Sequence, residues 1–116
     1  MNRIRRLETL ESLVQVGPHH IDHWSNETPI DGTPQIFIPD GYQDVTAVLG
    51  ILFVVERITA GLFNSGGAAM APGGTFNLYN VAGNILRVSV TAGGEASIAV
   101  AGGVDTYNVS MLSLWI

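Results

Sequence analysis

The chain has 116 residues, which is enough for one domain with a single hydrophobic core. Its net charge of −5 argues against general nucleic-acid binding, and the absence of lysine and cysteine excludes lysine Schiff bases, thiol nucleophiles, disulfides and cysteine-ligated zinc. Only 13% of the residues are charged, against roughly 25% in ordinary soluble domains. We therefore expect an assembly to cover part of the surface.

Residues 1–16 are predicted to form a short amphipathic helix. Apolar residues recur there at spacings of three, three and four, which places them on one stripe of a helix. This stripe consists of Ile4, Leu7, Leu10 and Val14. A glycine and a proline then end the helix.

This predicted helix is too short to be stable alone, so its apolar stripe needs a partner. Three arginines, Arg3, Arg5 and Arg6, lie at its beginning, where the helix dipole disfavours positive charge. The partner is the sheet of the same domain, other copies of the helix, or an acidic external surface. We expect these arginines and the stripe to act in docking or oligomerisation.

Residues 17–34 are predicted to be an extended linker, because they lack periodicity and hold three of the five prolines. His19, His20 and His23 form the one metal-like cluster of the sequence. Imidazoles at this spacing can bind zinc or nickel, but a linker holds them in no fixed geometry. We expect solvated histidines, with no metal and no cofactor.

Residues 35–116 are predicted to be an antiparallel β-sandwich or jelly roll of seven or eight strands. A short strand covers 35–39, and two more divide 45–63 near Gly50 or Glu56, where a helix is the rival prediction. Residues 64–74 are rich in glycine and predict a flexible loop, or an arm ordered against a neighbouring subunit. Four strands follow at 75–81, 85–91, 95–101 and 104–116, separated by glycine-containing hairpin turns.

The last predicted strand is apolar on both of its sides. Alternate residues of a strand face opposite ways, so Tyr107, Val109, Met111 and Trp115 share one side, and Leu112, Leu114 and Ile116 share the other. Such a strand is either central in its own domain or covered by a second subunit. We expect the final residues to seal contacts between subunits; these are Met111, Leu112, Leu114, Trp115 and Ile116.

Nothing in the sequence indicates catalysis. Asp22, His23 and Ser25 are too close along the chain to arrange a nucleophile, a base and an orienting acid around one substrate. The remaining carboxylates are scattered, and no pair is selected for glycoside hydrolysis. We predict a protein that is not an enzyme.

Membrane insertion and secretion are not expected either. The most apolar run, residues 45–55, has 11 residues and is too short to span a bilayer. Glu8 and Glu11 interrupt the N-terminal stretch that would otherwise begin like a signal peptide. We expect a soluble protein without a signal peptide or a transmembrane segment.

The layout of a short helix, a linker with prolines and a glycine-turned β domain ending in an apolar strand resembles the small virion proteins of tailed bacteriophages. These are capsid decoration (cement) proteins and the tips of head or tail fibres. The resemblance covers all 116 residues as architecture, and no diagnostic motif accompanies it. No functional residue is therefore carried over from that group.

The resemblance implies a homotrimer on the capsid surface, bound to the major capsid protein or another virion protein. Such a trimer would stabilise the shell by binding only the assembled state. A decoration protein is therefore the first functional prediction. The alternative is a fibre-tip or lectin-like module that binds a receptor or glycan through the glycine-rich loop at residues 64–74 or through exposed aromatic side chains.

Overall fold

The computed structural model describes residues 21–39 and 48–115. These residues form eight strands, which are β1 (Ile21–Ser25), β2 (Gln35–Ile38), β3 (Leu49–Arg57), β4 (Leu62–Met70), β5 (Thr75–Val81), β6 (Asn84–Val90), β7 (Ala96–Gly102) and β8 (Tyr107–Trp115). The predicted mainly-β class is confirmed. The predicted helix over residues 1–16 lies outside the described residues.

The strands form two four-stranded sheets with antiparallel pairing throughout. Sheet 1 has the order β1-β8-β3-β4, and sheet 2 has the order β2-β7-β6-β5. The hairpins β3-β4 and β5-β6-β7 stay within one sheet, whereas β1-β2, β2-β3, β4-β5 and β7-β8 change sheet. This topology establishes two packed sheets, and the jelly-roll form is not established.

The inner faces of the two sheets make one continuous core. In β3 and β8 every second side chain is buried, so these two central strands of sheet 1 alternate between core and surface. Leu49, Val55, Tyr107 and Trp115 come from sheet 1, and Leu86 and Ile98 face them from sheet 2. The core-facing set of β8 is the set that the alternation in the sequence grouped on one side.

The division of residues 45–63 near Gly50 or Glu56 is wrong, because β3 runs unbroken through both positions and the turn follows at residues 58–61. Two further stretches differ from the sequence-based expectation. Residues 21–25, assigned to the extended linker, form edge strand β1, which pairs with β8 from Ile21↔Leu114 to Ser25↔Ser110. Residues 64–70, assigned to a flexible loop, belong to β4, which pairs with β3 along its whole length. Tertiary pairing with an apolar neighbour outweighs weak local β propensity in both cases.

The glycines of β4 allow the side chains of β3 to lie across it. A Cβ added to Gly66 would stand 3.2 Å from Cζ of Phe53, and one added to Gly67 would stand 3.0 Å from Cδ2 of Leu52. Phe53 covers the inner face of the strand and Leu52 covers its outer face. The glycine pair is therefore a packing feature of the β3-β4 hairpin.

The turn between β5 and β6 has two residues, Ala82 and Gly83, with φ angles of 51° and 84°. Positive φ at both central positions is the type I′ geometry, which matches the twist of the flanking strands. The sequence predicted a hairpin turn here from the glycine. Ala82 is the one residue other than glycine with positive φ among the residues that the structure describes.

Candidate functional site

The outer face of sheet 1, which points away from sheet 2, is the candidate functional surface. Four rows of side chains cross it, each taking one residue from each paired strand. From one end to the other they are Ile21–Leu114–Gly50–Ala69, His23–Leu112–Leu52–Gly67, Ser25–Ser110–Val54–Ser65 and Asn108–Glu56–Phe63. We call these four rows the outer face.

The outer face is apolar and largely exposed. Leu52 and Phe63 are 64% and 67% exposed, and Ile21, Val54 and Leu112 are each about half exposed. On strands β1, β8, β3 and β4, the only ionisable side chains of this face are His23 and Glu56. A contiguous apolar patch of this kind is typical of an interaction surface.

Shallow depressions lie along the outer face, one at each end and one over the middle rows. A shallow apolar depression of about 390 Å³ lies over the glycine and alanine positions of the first two rows. Its floor includes Gly50, Gly67 and Ala69, and Leu52 and Leu112 stand at its border. Phe63 projects from the fourth row, at the opposite end, six residues before Ala69 on β4.

The polar groups of the outer face are tied to one another at the end near Phe63. The Asn108 side-chain amide donates to Glu56 Oε1 at 3.1 Å and its oxygen accepts from Asn26 at 2.9 Å. Asn26 Oδ1 in turn accepts from the Val109 backbone N–H at 2.7 Å. These bonds link the residue that follows β1 with β8 and β3, so the two amide side chains stabilise sheet 1 itself.

His23 is the other polar side chain of this surface. Its Nε2 lies 3.0 Å from the Ser110 hydroxyl on the neighbouring strand. His19 and His20, the partners that the sequence offered for a metal site, lie outside the described residues. Within residues 21–39 and 48–115, no group of three or more candidate metal ligands comes together.

A second polar cluster lies at the end of the sandwich where β3 finishes. Arg57 donates from Nε to the Asp105 carboxylate, and its Nη1 lies 3.4 Å from the Tyr79 hydroxyl. The hydrogen bond from Thr59, followed in size of effect by that from Arg57, holds the pKa of Asp105 below its usual value. Hydrogen bonds with Tyr79 and Asp105 raise the pKa of Arg57.

This cluster has the geometry of a structural tie. The Asp105 carboxylate is engaged by Arg57 and by the Thr106 backbone N–H at 3.2 Å. Burial raises the pKa of Tyr107, whose ring lies 5.5 Å from that of Tyr79. A carboxylate saturated with donors and held ionised is a poor proton acceptor, so the arrangement gives no general base.

The structure divides the predicted C-terminal docking residues into two groups. Met111 and Trp115 are each 1% exposed and lie in the core of their own sandwich, which leaves them no surface to offer another chain. Leu112 and Leu114 lie on the outer face, Leu112 exposed and Leu114 half-buried. Ile116 lies outside the described residues.

The predicted docking residues of the N-terminal segment also lie outside the described residues; they are Arg3, Ile4, Arg5, Arg6, Leu7, Leu10 and Val14. Conversely, the sequence did not single out Leu52, Val54 or Phe63, which dominate the outer face. The run that contains the first two is apolar at both parities from residue 51 to 55, so alternation could not separate core from surface there.

The comparisons with known proteins give no relative for this chain. No family model matches it, and no curated protein or solved structure is similar to it. In the described part of the chain, there is also no helix whose length and apolarity would let it cross a bilayer.

Proposed function

We propose that this chain is a non-enzymatic structural protein that works as a homo-oligomer through the outer face of sheet 1. The observation that carries the proposal is the apolar, nearly uncharged outer face, with Leu52 and Phe63 about two-thirds exposed. An uncharged apolar patch is costly to leave in water and favourable to bury against another surface. The low charge of the whole chain supports the same function.

The specific assignment that we propose is a decoration protein on the capsid of a tailed bacteriophage. It rests on the resemblance in layout, which implies a trimer and contact with the major capsid protein or another virion protein. The outer face would bring copies together, and the N-terminal arginines with the Ile4/Leu7/Leu10/Val14 stripe would hold the assembly on the shell. Binding the assembled state alone would make rupture of the shell costlier.

Self-association is tested by light scattering on the full-length protein. We expect the measured molar mass to correspond to more than one chain for the wild type and to one chain for the Val54→Arg variant. A charge placed on the outer face opposes its burial. Val81→Arg is the matched control, since Val81 is equally exposed but lies at the end of β5 in sheet 2. A wild-type monomer at high concentration would refute the homo-oligomer.

Attachment is tested by co-sedimentation with purified capsids of the phage that encodes the chain. We expect wild-type protein to sediment with the shell, and a variant that lacks residues 1–16 to remain in solution while it keeps its β-type circular dichroism. Attachment that survives this deletion would contradict the docking role of residues 1–16. Absence of attachment by the wild-type chain would contradict the decoration function.

Carbohydrate binding is a second candidate, favoured by the row Asn108–Glu56–Phe63. An exposed ring next to a carboxylate and an amide is an arrangement on which a sugar can stack and form hydrogen bonds. The shallow depression at this end measures about 310 Å³. Binding on a glycan array that disappears in Phe63→Ala would favour this function over the structural one.

A further inference from the structure

We propose that the outer face is covered by the outer face of a second copy, with Phe63 of each copy seated in the apolar depression of the other. This inference deepens the proposed function, because it rests on self-association and names the partner and the contact. It does not depend on attachment to a virion, and because a two-fold contact closes with two copies, it predicts a dimer where the resemblance implies a trimer.

The register of the four strands makes the face self-complementary. The row of Phe63 and the row of Ala69 are the two ends of the outer face and lie six residues apart on β4. Consider a two-fold axis that lies between the two faces, perpendicular to the strands and at the level of Gly66. It places the row of Phe63 in one copy opposite the row of Ala69 in the other. Each residue then meets a different residue of the partner and the contact is reciprocal, as in isologous dimers.

The sizes of the opposed side chains also match under this symmetry. Phe63 meets Ala69 of the second copy, beside the floor formed by Gly50. In the two middle rows Leu112 meets Ser110, and Leu52 meets Val54. Large side chains therefore oppose small ones at Phe63 and at Leu112, as in the interdigitation of packed sheets, whereas Leu52 and Val54 meet as two apolar side chains of similar size.

The charges of the face permit this burial. Glu56 lies in an end row, at the rim of such a contact, and already accepts a hydrogen bond from Asn108. His23 lies on edge strand β1 and is bonded to Ser110. Nothing ionisable projects from the centre of the outer face, so pairing leaves no uncompensated charge in the middle.

The area is of the right order. Three strands of nine residues and β1 of five residues, at about 4.8 Å spacing and about 3.3 Å per residue, give the outer face a flat projection of roughly 500 Å². Its accessible area exceeds this flat projection because side chains such as Phe63 and Leu52 protrude. A specific interface buries roughly 800 Å² on each partner, which a face of this size approaches.

Cross-linking at two introduced cysteines tests the register, since the chain has no cysteine of its own. The full-length Glu56→Cys/Ala69→Cys variant keeps Phe63 and carries one thiol at each end of the outer face. Within one copy the two positions are about 20 Å apart along the strands, whereas opposed sheets lie about 10 Å apart. A short bismaleimide reagent can therefore join them between copies but not within one copy.

We expect a covalent dimer whose cross-linked peptide joins position 56 of one copy to position 69 of the other. The two single-cysteine variants are the controls; each alone should stay uncross-linked, and their mixture should give the heterodimer. The contact of the Phe63 ring with the depression of the second copy is tested with Phe63→Ala, which should weaken association at least about tenfold. Val81→Ala, at an exposed valine outside the face, should leave association unchanged.

Three outcomes would overturn this pairing. They are a monomer without cross-link, a cross-link that joins like positions such as 69 to 69, and an assembly of three copies that lacks the 56-to-69 product. The last two would leave the proposed homo-oligomer standing, because copies would still associate by another contact. A dimer with the expected cross-link but no affinity for capsids would instead support the pairing and contradict the decoration function.

Discussion

Arg57, the last residue of β3, forms a salt bridge with Asp105 in the loop that precedes β8. The pair ties together the two central strands of sheet 1 at the end of the sandwich. Asp105 is buried and Arg57 is partly buried, so water screens their attraction less than it would at the surface. Hydrogen bonds from Thr59, which has the larger effect, and from Arg57 keep the pKa of Asp105 below its usual value.

The lowered pKa of Asp105 predicts a pH dependence of stability. A carboxyl group whose pKa is lower in the folded state stabilises the fold above its unfolded value of about 3.9, and this contribution is lost as the pH falls through the folded pKa. We expect Asp105→Asn to melt below wild type at neutral pH, and the difference to narrow in strong acid. Thermal melts followed by circular dichroism across pH measure it. A difference in melting temperature that stays constant down to about pH 2 would contradict the stabilising role of this carboxylate.

The Tyr107 hydroxyl predicts a stabilising substitution. It is buried and has no hydrogen-bond partner among residues 21–39 and 48–115. Since an unsatisfied buried hydroxyl costs free energy, we expect Tyr107→Phe to raise the free energy of unfolding by about 1 kcal/mol in urea titrations. Tyr79→Phe is the matched control and should destabilise, because the Tyr79 hydroxyl contacts Arg57. A Tyr107→Phe variant with a lower free energy of unfolding than wild type would show that this hydroxyl has a hydrogen-bond partner.

Two residues that lie on opposite faces of β8, Trp115 and Leu112, should respond differently to substitution. Trp115→Ala should lower the free energy of unfolding by about 3–5 kcal/mol, because its side chain fills the core. Leu112→Ser should change the stability of the dilute monomer by about 0.5 kcal/mol or less and should reduce self-association. Urea unfolding and light scattering separate the two effects. A strong loss of monomer stability in Leu112→Ser would place that side chain in the core.

The positive φ of Ala82 predicts a gain from asparagine at the same position. Alanine pays about 1–2 kcal/mol in the left-handed region, which asparagine tolerates, and Asn-Gly is the preferred type I′ pair. Ala82→Asn should raise the free energy of unfolding by about 0.5–1 kcal/mol. Ala92→Asn, at a turn alanine without positive φ, should give no such gain. Equal effects of the two substitutions would contradict the turn assignment.

The sequence predicted the strands of sheet 2 best. Glycine turns at regular spacing separate β5, β6 and β7, and alternation in Leu86, Val88 and Val90 fixes the buried side of β6. Hairpins between neighbours need only local information. The same is true of β8, whose strict alternation sorted core-facing from outward-facing residues.

The two edge strands of sheet 1, β1 and β4, could not be predicted in the same way. β1 has no periodicity and β4 is built from small residues, so neither shows local preference for a strand. β1 exists because β8 offers it paired backbone groups across a long sequence separation, as in Asp22↔Ser113, whereas β4 pairs with β3 in a hairpin that closes at Arg57↔Leu62. Long-range pairing of this kind leaves little trace in local composition.

The sequence alone determined that this protein is a mainly-β chain, poor in charge, with apolar side chains on both sides of its last strand. Only the tertiary structure decided which side is core and which is surface, since sheet 2 covers one face of sheet 1 and leaves Leu52, Val54 and Leu112 exposed. Trp115 went to the core and Phe63 to the surface for the same reason. Hydrophobicity belongs to the residue, but burial depends on which strand and which layer lie beside it.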